Sequence, residues 1–259
     1  MHVTRSTALL EFLKRPLMDS GIDALLRGSS YNAAVRAMIE RRMREVFWQG
    51  IPGYVCIALL LLVVGWWLLG IASSRYGMAD AAPEVAHYAL GLAVGQMSAL
   101  WFTVARCAPM AFLDYTERRH SGEWAALASL HIDGLRYVCV PWLIAATVAA
   151  TGFWCLYYAL YLVVEQAYPV AAAWMGISFV PIHSGVFATL TSLIAVTLRT
   201  AVAGFAIAWI ALTLASRDQV TLATAALARR STQKTYRVSV LAILGVAAVE
   251  AILYGILKH

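Results

Sequence analysis

Six histidines, four cysteines and fourteen carboxylates are the side chains of this 259-residue chain that could hold a metal or move a proton. Their spacing suits neither task. His120 and His131 flank a short helical stretch, but eleven residues apart they make a weak metal pair, and solvated histidines are the plainer reading. Cys56, Cys107, Cys139 and Cys155 form no CxxC, and three lie in or beside apolar runs, where a free thiol behaves as a small hydrophobe. No metal site is expected. The chain has no GxxxxGK-S/T, no HExxH and no GxSxG, so nucleotide hydrolysis and the common hydrolase chemistries lack their parts. A membrane enzyme acting on lipids would need His, Asp or Ser clustered at one face. Only His87, His183 and Ser184 offer themselves, and ordinary polar loop residues explain them. The expectation is a protein that is not an enzyme and holds no cofactor of its own.

Two other charges are informative because they interrupt apolar runs. A charged group in a membrane-spanning segment is costly and needs a reason. Arg199 opens one such run, where it can snorkel or hold a lipid phosphate. Glu250 falls near the middle of the last run and needs a partner, a cavity or a proton.

The elements that carry these residues follow from composition. Apolar residues make up 61% of the chain and charged residues 13%. A soluble domain carries about 25% charged residues, so this surface cannot all face water. Crossing a hydrocarbon core takes about 20 apolar residues. Stretches free of charge give five expected spans: 51–72, 86–108, 138–162, 194–216 and 238–257. The stretch 167–190, broken by Pro169, Gly176 and Pro181, reads as a loop, an interfacial helix or a broken sixth span. The fold class is therefore an all-α membrane protein with about five transmembrane helices.

Net charge is +6, and its distribution points to membrane orientation and not to nucleic acid. The segments between spans carry eight, one, four, none and five Lys or Arg in turn. That alternation predicts a cytoplasmic N-terminus and, with five spans, an outward His259.

Residues 1–50 form a cytoplasmic segment ahead of the transmembrane domain 51–259. In Tyr31–Trp48, Val35, Met38, Ile39, Met43 and Val46 recur at helical spacing, with Arg36, Glu40, Arg41, Arg44 and Glu45 assigned to the other face. Such an amphipathic helix lies in the interface, its arginines meeting anionic lipid, or packs on a protein. A second short helix is expected between spans two and three, about 121–135. Trp124, Leu127, Leu130 and His131 share a face, and Asp133-Gly134 supplies a turn.

This loop and its flanks resemble the MlaE-type permeases, the membrane subunits of ABC transporters that work with MCE-domain lipid carriers. That family carries a pattern close to A-G-R-x-G-x-x-x-x-A-E, then E-Q-I-D-A-L-x-x-M-G-x-x-P-x-x-x-L-V-x-P-R. Here Arg106, Asp114 (for Glu), Ala126, Leu127, Asp133, Arg136 and Pro141 agree in type and spacing. Gly95 stands where the family has the glycine of R-E-L-G-P, and Arg199 takes the place of a lysine opening the fourth span. Departures are several. R-E-L-G-P becomes Leu92-Ala93-Val94-Gly95-Gln96, the final P-R becomes Pro141-Trp142, and an aspartate of the last span is Ala247, with Glu250 one turn on.

The resemblance implies a divergent permease in the bacterial inner membrane, paired with a second copy or a paralogue. It would move phospholipid or another hydrophobic lipid between that membrane and a periplasmic MCE-domain protein. A separate ABC ATPase subunit would bind the ATP and dock on a coupling helix bearing Glu123, Trp124, Leu127, Leu130 and Asp133. The lost motif residues imply an alternative, a degenerate structural subunit that completes a heteromeric lipid-transport complex.

Overall fold

The computed structural model describes residues 30–76, 86–129, 134–174 and 190–217, together with Arg237. These residues are helical throughout apart from short turns. Helix α1 spans Ser30–Val46 and passes through one tight 3-10 turn, Trp48–Gly50, into α2, Ile51–Tyr76. A π-helix, Ala86–Val94, leads into α3, Gly95–His120; then come α4, Glu123–Ser129, α5, Gly134–Trp174, and α6, Leu190–Arg217.

Four stretches among the described residues are long and apolar enough to cross a membrane: Ala33–Ala72, Ala86–Arg119, Tyr137–Ala167 and Ser192–Ser216. The expected last span 238–257, with Glu250, lies outside the described residues. Within 167–190, residues through Trp174 continue α5 and Leu190 opens α6. Residues 175–189 lie outside the described residues.

Packing sets α5 at the centre, against α1, α2, α3 and α6. Phe153 of α5 is the aromatic hub. Its ring meets Phe47 at 5.2 Å, Tyr54 at 4.7 Å and Phe102 at 5.0 Å, so one side chain joins α2, α3 and the turn after α1. The α5–α6 seam uses small residues instead. Gly204 of α6 meets Ala146 and Ala150 of α5, and Ala146, Ala149, Ala150, Ala203, Ala208 and Ala211 are all fully buried. Within a bilayer, where lipid tails are as apolar as leucine, such close backbone approach is what gains packing energy. At Gly204 the approach is so tight that a Cβ would stand 2.9 Å from the Ala146 carbonyl oxygen.

The π-helix was not expected from apolar spacing. Tyr157 of α5 donates its hydroxyl to the Leu90 carbonyl oxygen at 3.1 Å, taking up a backbone group inside the widened turns. A side chain inserted into the hydrogen-bond ladder is a standard cause of such local rewinding.

Candidate functional site

One end of the bundle gathers charged residues that the sequence scatters from Arg41 to Glu123. Here α1, the C-terminal end of α3, α4, the start of α5 and the C-terminal end of α6 meet. Asp114 of α3 is the shared acceptor. Arg42 Nη2 donates to its Oδ1 at 2.6 Å, Arg118 Nε to the same oxygen at 3.0 Å, and Trp142 Nε1 to its Oδ2 at 2.8 Å. The Arg42 guanidinium also lies 4.5 Å from the centroid of the Trp142 ring, a cation–π contact.

The junction extends in two directions. On the α1 side, Arg42 Nη1 donates to Glu45 Oε2 at 2.7 Å, and Arg106 Nη2 donates to the Glu45 backbone oxygen at 2.9 Å. On the other side, Arg118 Nη1 donates to Glu123 Oε1 at 2.5 Å, in the first turn of α4. Arg119 donates to the Ser216 carbonyl at 3.1 Å, tying the last turn of α6 to the same end. Burial alone would raise the Glu45 carboxyl, but hydrogen bonds from Arg42 and Arg41 hold it below the ordinary glutamate value.

Helix α4 sits beside this junction. Glu117 accepts from the Ser121 backbone N–H, and Gly122 then takes a φ of +79°, a left-handed conformation that ends α3. The Gly122 carbonyl accepts from Ala125 and Ala126 and starts α4. Trp124 packs on Tyr115 with ring centroids 5.2 Å apart, and Leu127 is buried. Gly134 lets the Trp124 ring lie on the backbone of α5; a Cβ there would be 2.8 Å from it. Within the expected helix over 121–135, Ser121–Gly122 is a turn, Glu123–Ser129 is helical, residues 130–133 lie outside the described residues, and residues from Gly134 belong to α5.

Of the residues expected to matter, the structure brings together Arg106, Asp114, Glu123, Trp124 and Leu127. Pro141 is buried in α5 beside Trp142, and Arg136 lies in the first turn of α5. Leu130 and Asp133 fall outside the described residues. Gly95 and Arg199 stand apart from the junction. Gly95 opens α3 at the other end, where the Tyr157 ring occupies the place of a Cβ, 2.4 Å from that position. Arg199 is half-buried in α6, roughly 25 Å along the helix from Ser216 at 1.5 Å per residue.

Sequence reasoning missed Arg42, Arg118 and Trp142 as parts of a site, and it assigned Glu45 to the solvated face of α1. Glu45 turns inward, half-buried against Arg42. The signal was present in the spacing. Val35, Arg42 and Val46 form the buried stripe of α1, so one arginine interrupts an otherwise apolar face.

The sequence pattern of the family described as permease MlaE matches residues 39–253, from within α1 to beyond α6. The chain belongs to the MlaE permease family. No curated protein matches it. As an MlaE-family permease it is a multi-pass membrane subunit of the lipid-transport ABC class. Two departures of this MlaE-family chain from the family pattern meet at one hydrogen bond. Trp142, standing where the pattern has arginine, donates to Asp114, standing where it has glutamate.

Proposed function

We propose that this permease moves phospholipid or another hydrophobic lipid between the bacterial inner membrane and a periplasmic MCE-domain protein. A separate ABC ATPase subunit, which binds the ATP, would drive it from the cytoplasmic side. The permease would be paired with a second copy or a paralogue. The observation that carries this reading is the presentation of α4. Glu123 is held by Arg118, and Trp124 is wedged between Tyr115 and Gly134, so a short helix is braced at the end of the bundle where Arg41, Arg42, Arg44, Arg106, Arg118 and Arg119 collect. A positive end belongs in the cytoplasm, with the N-terminus, and a braced helix there can receive a push from a motor without collapsing. Glu123, Trp124 and Leu127, with Leu130 and Asp133, are the proposed coupling residues.

The apolar exterior of α2 supports pairing within the membrane. Leu60, Val63, Trp67 and Leu68 are all exposed on it, a surface for lipid chains or for a second permease. Arg199 and Glu250 are the proposed intramembrane charges toward the lipid path.

Reconstitution in proteoliposomes tests the reading. With the ATPase and the MCE-domain protein, labelled phospholipid should reach the carrier only when ATP is hydrolysed, and cysteines at Trp124 or Ser129 should crosslink to the ATPase. Transfer without crosslinking in an active complex would remove α4 from the coupling role. The uncharged Leu92–Gln96 stretch favours a second reading, a structural subunit beside a better-preserved paralogue; transfer that requires the paralogue and tolerates changes at Arg199 would establish it.

A further inference from the structure

The junction connects two elements that the sequence separates by some eighty residues. Glu123 of α4 holds Arg118; Arg118 and Arg42 share one oxygen of Asp114; Arg42 belongs to α1. Arg42 is 93% withdrawn from solvent and bridges Asp114 and Glu45 through separate nitrogens, so the contact is rigid in direction as well as in distance. Arg106 adds a second tie from α3 to the end of α1.

What α1 does next matters. It passes into α2 with only Phe47 and a tight turn between, and the Ile51 and Gly50 backbone N–H groups both donate to the Phe47 carbonyl. A displacement of α1 therefore reaches α2 with little slack. Among the described spans the first has the smallest buried share of its apolar window, 22%, against 50% for the second, 61% for the third and 28% for the fourth. A span with little packing of its own follows whatever grips its end.

The geometry points to α1 as a lever. Arg42 and Asp114 act as positioning residues that carry displacement of α4 into the first span, in addition to the direct path through the second and third. The second and third spans are cross-packed through Phe102, Phe153 and Tyr157, and Tyr54 of α2 joins the same hub, so the first span moves about that contact when α1 pulls on its end. This inference rests on the reading of α4 as the motor contact.

The test compares the reconstituted complex carrying wild-type permease, Arg42→Gln, Arg42→Lys or Asp114→Asn. The measured quantity is lipid transferred per ATP hydrolysed. For Arg42→Gln and Asp114→Asn this ratio should fall about five- to tenfold with ATP hydrolysis retained, the scale on which residues within a coupling network act. Arg42→Lys, which keeps the charge but not the two-pronged geometry, should fall between. An unchanged ratio in Arg42→Gln overturns the lever. Where a variant fails to assemble, spin labels at Arg44→Cys and Ala125→Cys, both exposed positions, decide in its place. Their separation should stay constant between nucleotide-free and vanadate-trapped complexes, and independent movement of α1 and α4 overturns the inference. A wild-type complex that hydrolyses ATP without moving lipid strikes the transport reading instead, and the label pair still reports on the lever.

Discussion

The indole N–H of Trp142 and the Oδ2 of Asp114 are 2.8 Å apart, while the Arg42 guanidinium covers the face of the same indole. One tryptophan thus satisfies an aspartate through its edge and an arginine through its face. The pair joins α3 to α5 at the end where α1 and α4 dock.

Removing the indole donor separates its two roles. Trp142→Phe keeps an aromatic face for Arg42 and loses the bond to Asp114, so it should lower stability by about 1–3 kcal/mol, the cost of a buried acceptor deprived of a partner. Trp142→Ala opens a large cavity as well and should cost about 3–5 kcal/mol. Thermal unfolding in detergent, followed by loss of monodispersity, ranks the two; an undiminished stability in Trp142→Phe would show that the hydrogen bond contributes nothing.

Asp114→Ala leaves Arg42 and Arg118 facing each other without their shared acceptor. Arg42 keeps its bond to Glu45 and Arg118 its bond to Glu123, so the expected loss is about 1–3 kcal/mol and less than for a buried charge left with no partner. Asp114→Glu, which keeps the charge, should retain most of the stability. Hydrogen exchange of α1 should rise in the first variant and stay near wild type in the second.

Gly134→Ala places a methyl group against the Trp124 ring, with 2.8 Å between the new Cβ and the nearest ring atom. The ring must tilt away from α5 and carry α4 with it. Binding of the ATPase subunit should weaken about tenfold, equivalent to 1.4 kcal/mol, with the transmembrane bundle intact. Pull-down and thermal unfolding together check it, and undiminished ATPase binding would argue against α4 as the docking element.

Gly204→Val meets atoms that cannot move aside, since its Cβ would stand 2.8 Å from the Ala150 Cβ and 2.9 Å from the Ala146 carbonyl oxygen. Helices α5 and α6 must separate along a seam built from alanines. A loss at or above the usual 1–3 kcal/mol of overpacking is expected, seen as poor expression and early unfolding. Gly122→Asn should be mild by comparison, because asparagine tolerates the left-handed conformation found there.

Acid should loosen α1. The Glu45 carboxyl is held below its ordinary value of 4.5, so its bonds to Arg42 and Arg41 contribute fully above that pH. The contribution is lost as pH falls through the lowered folded-state value. Exchange of the α1 amides should therefore accelerate below about pH 4.5, and Glu45→Gln should flatten that pH dependence.

Much of this molecule is written along the chain. Apolar runs as long as Ile51–Ile71 or Tyr137–Val164 have one stable solution in a bilayer, because hydrocarbon offers backbone groups no partners other than their own helix. The residues that carry the family likeness, Arg106, Asp114 and Pro141 among them, stand out along the chain through their resemblance to the family pattern. Which of these touch is a different matter. Arg42 and Asp114 are 72 positions apart, and no local period announces that an arginine on an apolar stripe will find that carboxylate. The π-winding of Ala86–Val94 depends on a hydroxyl from Tyr157, the start of α4 depends on Gly122 turning left-handed, and its seat on α5 depends on Gly134 yielding to an indole. Span number and helical class arise from local chemistry between the chain and its solvent. The polar junction arises from side chains that meet only after the helices have packed, so tertiary structure alone decided it.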